Sequence, residues 1–237
     1  MKSLSLALAA AFLLGCGPSQ ANEAKIRKTI TTQFPGVEIT SVTKTPYAGL
    51  FEVYMDGQIV YVDAKAEFAF AGDVLDLKTR RNITQSRLTQ LMTIDWSKLP
   101  FEKAIKTVKG NGARKLVVFS DIDCPFCRRL EAELTKVDNL TVYTFLYPIE
   151  KLHPKAVKVS RQIWCAPDKE KAWNDYLAKG VTPDNDGTCD NPVDESIALG
   201  QSLHVGGTPT LFFENGQRAP GFVQADKLEE LLKQAAL

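Results

Sequence analysis

Lys115-Leu-Val-Val-Phe-Ser-Asp-Ile-Asp-Cys124-Pro-Phe-Cys127-Arg-Arg-Leu-Glu-Ala-Glu-Leu134 is the stretch whose reading decides the fold. Residues 115–120 read as a short buried strand, and residues 128–134 read as a helix. Two thiols therefore sit at a strand-to-helix turn, a position suited to redox chemistry. At a helix start, unpaired backbone N–H groups and the positive end of the macrodipole both favour a thiolate. Pro125 suits the first turn because it has no N–H to leave unsatisfied. Cys124 is expected to be the attacking, more exposed thiol. Cys127, one turn further in, is expected to be the buried resolving thiol. Asp121 and Asp123 oppose a negative sulfur nearby, and Arg128 and Arg129 are available to offset them.

Other uses of these residue types fit less well. One C-x-x-C can be half of a zinc site, but Cys165 and Cys189 supply no second close pair. A purely structural staple rarely sits with a two-residue spacing at a helix start. His153 and His204 raise the question of a Cys–His hydrolase. His153 precedes a proline and His204 ends a helical pattern, so both read as ordinary surface or core residues. No metal and no cofactor are expected.

The N-terminus reads as an export signal. Met1-Lys2 gives a basic start, Leu4 to Leu14 an apolar core, and small residues follow. The apolar run is too short to span a membrane. Two processing routes compete: cleavage after Ser19-Gln20-Ala21, or lipidation of Cys16 in Leu13-Leu14-Gly15-Cys16, which resembles a bacterial lipobox. The segment is thus 1–21, or 1–15 by the lipoprotein route. Removing residues 1–21 takes away Lys2 and no acid, leaving 28 basic against 28 acidic residues. A neutral chain without a basic stripe makes nucleic acid an unfavoured partner. Four cysteines remain after Cys16, an even number that suggests two disulfides in an oxidising compartment. Three pairings are possible. The close spacing makes Cys124–Cys127 the natural one, which leaves Cys165 with Cys189.

Along the chain, residues 23–34 place Ile26, Ile30 and Phe34 at helical spacing, and Pro35-Gly36 ends the helix. Strand signals at 50–55 and 59–63 flank Asp56-Gly57, a hairpin turn of the favoured kind. Residues 67–77 are strand-rich. About sixty residues of this α+β kind are marginal as a lone domain. Residues 82–98 read as a helical connector with Asn82 as its cap, ending at Leu99-Pro100. From Lys115 strands and helices alternate, with strands at 141–146, 210–214 and 217–218 and a last helix at 226–235, which argues for an α/β sheet.

With these residues in view, the chain resembles the DsbC/DsbG family of the thioredoxin superfamily. The matching pieces are Phe119-Ser-Asp-Ile-Asp-Cys124-Pro-Phe-Cys127, the Cys165 and Cys189 pair, Gly206-Gly-Thr-Pro-Thr210, and Asn215-Gly216 leading to Pro220-Gly221-Phe222. The resemblance implies an α+β chain: a cystatin-like dimerisation domain at 22–81, a linker helix at 82–98, and a thioredoxin-like catalytic domain with a helical insertion at 99–237. It implies that Thr208-Pro209 is a cis-proline element beside the thiols, with the Thr208 backbone binding an extended substrate strand. It also implies a periplasmic homodimer that isomerises or reduces wrong disulfides in exported proteins, kept reduced by a membrane reductase of DsbD type. Two departures stand out. Pro125-Phe126 replaces the Gly-Tyr of the best-known isomerase. Val118 occupies the place, six residues before Cys124, where thioredoxins carry a buried acid, so one proton acceptor for Cys127 is missing. The alternatives are a DsbG-like guardian of single thiols with chaperone activity, and a dithiol oxidase.

Overall fold

A computed structural model describes residues 18–236, and the chain divides after Thr84 into two compact units. The first unit opens with α1 (Pro18–Gln33), followed by β1 (Ile39–Lys44), β2 (Phe51–Met55), β3 (Gln58–Val62) and β4 (Ala69–Ala71). These strands form an antiparallel sheet in sequence order. The β2–β3 register is set by the turn: Asp56 and Gly57 both have positive φ, 48° and 75°, as a two-residue hairpin loop of matching twist requires. Ile26 and Ile30 pack from α1 onto Ile39, Val42, Phe51, Val53 and Val62. Phe34 does not join them. The helix ends at Gln33, so the residue leaves the apolar stripe and is 61% exposed.

A two-stranded ribbon of β5 (Leu75–Asp76) and β6 (Arg81–Asn82) closes this unit, and α2 (Ile83–Leu91) follows directly. The strand-rich stretch at 67–77 is thus two short strands separated by a break at residues 72–74. Thr84 anchors the ribbon: its Oγ1 accepts the Val74 N–H at 2.9 Å and lies 2.7 Å from the Tyr61 hydroxyl. The helix is shorter than the connector expected over 82–98. It stops at Leu91, and a separate 3₁₀ turn at Trp96–Lys98 is capped by the Asp95 carboxylate. The Asn82 amide donates to Asp73.

The second unit contains β7 (Ile105–Lys109), β8 (Arg114–Ser120), α3 (Pro125–Leu134), β9 (Leu140–Leu146), α4 (Ala156–Trp164), α5 (Lys169–Lys179), α6 (Val193–Ser202), β10 (Thr210–Phe213), β11 (Arg218–Pro220) and α7 (Ala225–Ala235). Its sheet has the order β11-β10-β8-β9-β7, and only β8 and β9 run parallel. Strand β8 is central and buried on both faces, which is why it reads as an unbroken apolar run. Leu116 and Val118 pack with α3 and α7 on one face. Val117 and Phe119 meet Phe145 and Phe212 on the other. Neither β1 nor β7 stands out in the sequence: β1 has two buried positions and β7 one, so neither carries a long apolar signal.

Helices α4, α5 and α6 form the insertion between β9 and β10, packed around Trp173, Ile163, Leu146 and Ile122. Cys165, at the C-cap of α4, is disulfide-bonded to Cys189, closing the segment that carries α5. Beyond β10, Asn215-Gly216 turns the chain. A side chain at Gly216 (φ 78°) would strike the Ile94 carbonyl, so the position requires glycine.

Candidate active site

Strand β8 ends at Ser120, and four residues later Cys124 takes the N-cap position of α3 with extended backbone (φ −72°, ψ 120°). Pro125 opens the helix, where its missing N–H is not needed. The Cys124 sulfur makes no capping bond. Its thiol instead points at the Thr208 carbonyl, 3.3 Å away. The Thr208-Pro209 bond is cis, and the Pro209 carbonyl accepts the Gly221 N–H at 2.7 Å. Cys124, Thr208 and Pro209 are thus brought together, and the cysteine pair is a free dithiol.

The two thiols differ in setting. Cys127 is 1% exposed, and burial pushes it up to about 12, opposed by the Ser120 hydroxyl, the Asp121 N–H and the Thr208 side chain. Cys124 is 6% exposed, less open than its expected role suggests, because the Thr208 carbonyl covers it. Phe126 between them is half exposed and lies beside Arg129, whose guanidinium stacks 4.4 Å from the Phe222 ring centroid. Arg129 is therefore held against two aromatic rings.

Those aspartates are engaged by the insertion. Asp121 is fully buried, and its carboxylate accepts the N–H groups of Asp123 (3.0 Å) and Ile149 (2.7 Å), with His153 Nδ1 at 2.9 Å. A buried polar group needs such partners to offset its burial. Asp123 accepts the Tyr176 hydroxyl from α5 at 2.7 Å, and burial together with that carboxylate pushes Tyr176 up to about 12. His153 and Tyr176 thus tie the turn before Cys124 to the insertion. His153 serves that tie, so the Cys–His arrangement of a hydrolase gains no support from it.

Glu131 lies on α3, one turn beyond Cys127, in a groove of about 430 Å³ lined also by Arg128, Asn174 and Leu177. Burial pushes its carboxyl up to about 7, against a hydrogen bond from Trp173 Nε1 at 3.2 Å. Because the folded-state value exceeds the ordinary 4.5, folding is favoured while the group is protonated. That contribution is full below about pH 4.5 and is lost as pH rises through about 7. Glu131→Gln keeps the acceptor for Trp173 and removes the charge. It should raise stability at pH 8 by about 2 kcal/mol, after discounting for partial exposure, and change little at pH 4.5. Urea unfolding at the two pH values checks this; equal effects at both would contradict it.

The comparisons with known proteins agree with this geometry. Residues 101–236 match the thioredoxin-like domain family, and residues 17–85 match the disulfide bond isomerase protein N-terminal domain. A Bordetella pertussis protein named "Probable thiol:disulfide interchange protein DsbC" is 41% identical over 207 residues, covering 87% of this chain and 73% of that protein. The chain belongs to the DsbC family. The Escherichia coli "Thiol:disulfide interchange protein DsbC" is 29% identical over 222 residues, 91% of this chain and 89% of that one. A crystal structure of a disulfide interchange protein from Neisseria gonorrhoeae superposes with a TM-score of 0.55 at 47% identity, covering 58% of this chain and 98% of that one. This DsbC-family protein is accordingly a thiol–disulfide oxidoreductase, with a thioredoxin-like fold joined to the family's N-terminal domain.

Cys16 lies outside the described residues. Nothing in the sequence marks Tyr176 or Glu131, since neither belongs to a motif, and Ser120 reads only as the end of a strand within the stretch 119–127. His153 reads in sequence as an ordinary residue, since its partner Asp121 is 32 positions away.

Proposed function

We propose that this protein isomerises wrong disulfides in exported proteins, with Cys124 as attacking thiol and Cys127 as resolving thiol. The observation that carries this reading is the Thr208 carbonyl 3.3 Å from the Cys124 sulfur. It puts backbone able to bind an extended chain directly beside the reactive atom. Cys124 attacks a substrate disulfide and forms a mixed disulfide. A second substrate thiol then displaces it, leaving a rearranged bond, or Cys127 displaces the substrate and leaves it reduced. Both outcomes need the pair reduced at the start, hence an electron donor, for which a membrane reductase of DsbD type is the family's candidate. The Cys165–Cys189 bridge is structural.

The compartment is the periplasm, in keeping with the N-terminal signal. Intact mass of the exported protein separates cleavage before Asn22 from acylation at Cys16. The working form is a homodimer assembled through the first unit. Phe68 and Phe70 on and beside the edge strand β4, with Leu75 and Leu77, are exposed there, and such a patch is a liability on a monomer. Light scattering on the purified mature protein should return twice the chain mass, and a monomer at micromolar concentration would contradict the assembly.

An oxidase would rest with the pair as a disulfide, whereas an isomerase rests as the dithiol. Alkylation of cells before lysis, followed by a gel-shift readout of Cys124 and Cys127, tests the proposal. A mainly oxidised pair would reject isomerisation in favour of disulfide donation.

A further inference from the structure

Ser120 ends β8, is 1% exposed, and its hydroxyl has no hydrogen-bond partner among the described residues. Burying a hydroxyl without a partner is unfavourable, so such an orphan calls for an explanation. Ser120 is the last residue of β8 and Cys127 lies in the first turn of α3, and the Ser120 hydroxyl, the Asp121 N–H and the Thr208 side chain are the polar groups that act on the Cys127 sulfur. A neutral thiol sulfur is only a weak acceptor, so the dithiol state leaves Ser120 poorly used. A thiolate is a far better one. We propose that Ser120 is a catalytic residue of the resolving step, donating a hydrogen bond to Cys127 as its sulfur becomes a thiolate and attacks Cys124.

The local structure makes this assistance necessary. Val118, two residues earlier on the same strand, packs into the apolar cluster of α3 and α7, so no carboxyl from that position serves Cys127. In the step itself, the Cys127 sulfur forms a bond to the Cys124 sulfur while the bond from Cys124 to the substrate sulfur breaks. The Cys127 proton ends on the departing substrate thiolate. Over attack and resolution together, the active-site pair is oxidised by two electrons and the substrate disulfide is reduced by two. Ser120 keeps its own proton throughout. It interacts more strongly with the charged sulfur than with the resting thiol, which is the condition for accelerating a step. It thereby sets how long a mixed disulfide survives, and so the balance between rearrangement and net reduction.

The inference rests on Cys127 being the resolving thiol, and the test separates the two claims. The reduced full-length mature protein is mixed with excess 5,5′-dithiobis(2-nitrobenzoic acid) in a stopped-flow instrument. Attack by Cys124 releases one thionitrobenzoate, and attack by Cys127 releases the second. Cys127→Ala should lose the second phase; if it does not, the resolving role itself is wrong. Ser120→Ala should leave the first phase unchanged and slow the second by about tenfold, the scale of a hydrogen bond to a charged group. The dithiol form should unfold no more easily without the orphan hydroxyl. An unchanged second phase, or equal slowing of both phases, would overturn the proposal.

Discussion

Cys124→Ser should reduce disulfide exchange to the uncatalysed rate while leaving the fold intact. The reason is chemical: the thiolate is the nucleophile, and a serine hydroxyl does not ionise near neutral pH. The loss should be complete rather than partial, because no other thiol among the described residues can replace Cys124. Cys127 is 1% exposed and pushed up to about 12, and Cys165 and Cys189 are bonded to each other. Cys127→Ala should behave differently. Attack still occurs, but the internal escape is gone, so substrates accumulate as mixed disulfides on Cys124. Non-reducing gels and mass spectrometry of the trapped species check both outcomes. Exchange retained by Cys124→Ser, or trapped substrates in its place, would remove Cys124 from the attacking role.

The second large effect concerns the bridge between α4 and the loop before α6. Cys165→Ser with Cys189→Ser should lower stability by about 3 kcal/mol, the chain-entropy expectation for a loop of this size. The two cysteines are 24 positions apart, and the segment between them carries α5 with its buried Trp173. That helix also supplies Tyr176 to Asp123, so local opening of the insertion should loosen the turn before Cys124 as well. A lower urea midpoint is the expected signature, with a somewhat steeper slope because the unfolded chain without its cross-link exposes more surface. An unchanged midpoint would mean that helix packing alone holds the insertion.

Much of the redox centre was legible because its signals are local. An apolar run of strand length, two thiols two residues apart, and a proline suited to a helix start can all be read within twenty residues. The cystatin-like unit was legible at Asp56-Gly57, where turn chemistry and flanking strands coincide. The parts that were not legible depend on long-range approach. His153 meets Asp121 across 32 residues and Trp173 meets Glu131 across 42, and no spacing rule joins them. Edge strands β1 and β7 were missed for a related reason. Each is half solvated, so its sequence carries little apolar pattern to find. The end of α2 at Leu91 escaped because no glycine or proline marks it. The helix stops where Thr89 and Thr93 hydroxyls bond back to carbonyls one turn earlier, a competition that tends to weaken helices.

In the proposed function, reduced Cys124 rearranges disulfides in another protein. Refolding of a scrambled multi-disulfide protein by the purified, reduced enzyme tests it most directly, with recovered native activity as the readout. Native product should form well above the Cys124→Ser background, with catalytic amounts of enzyme and no added oxidant. A yield no higher than that of Cys124→Ser would contradict it.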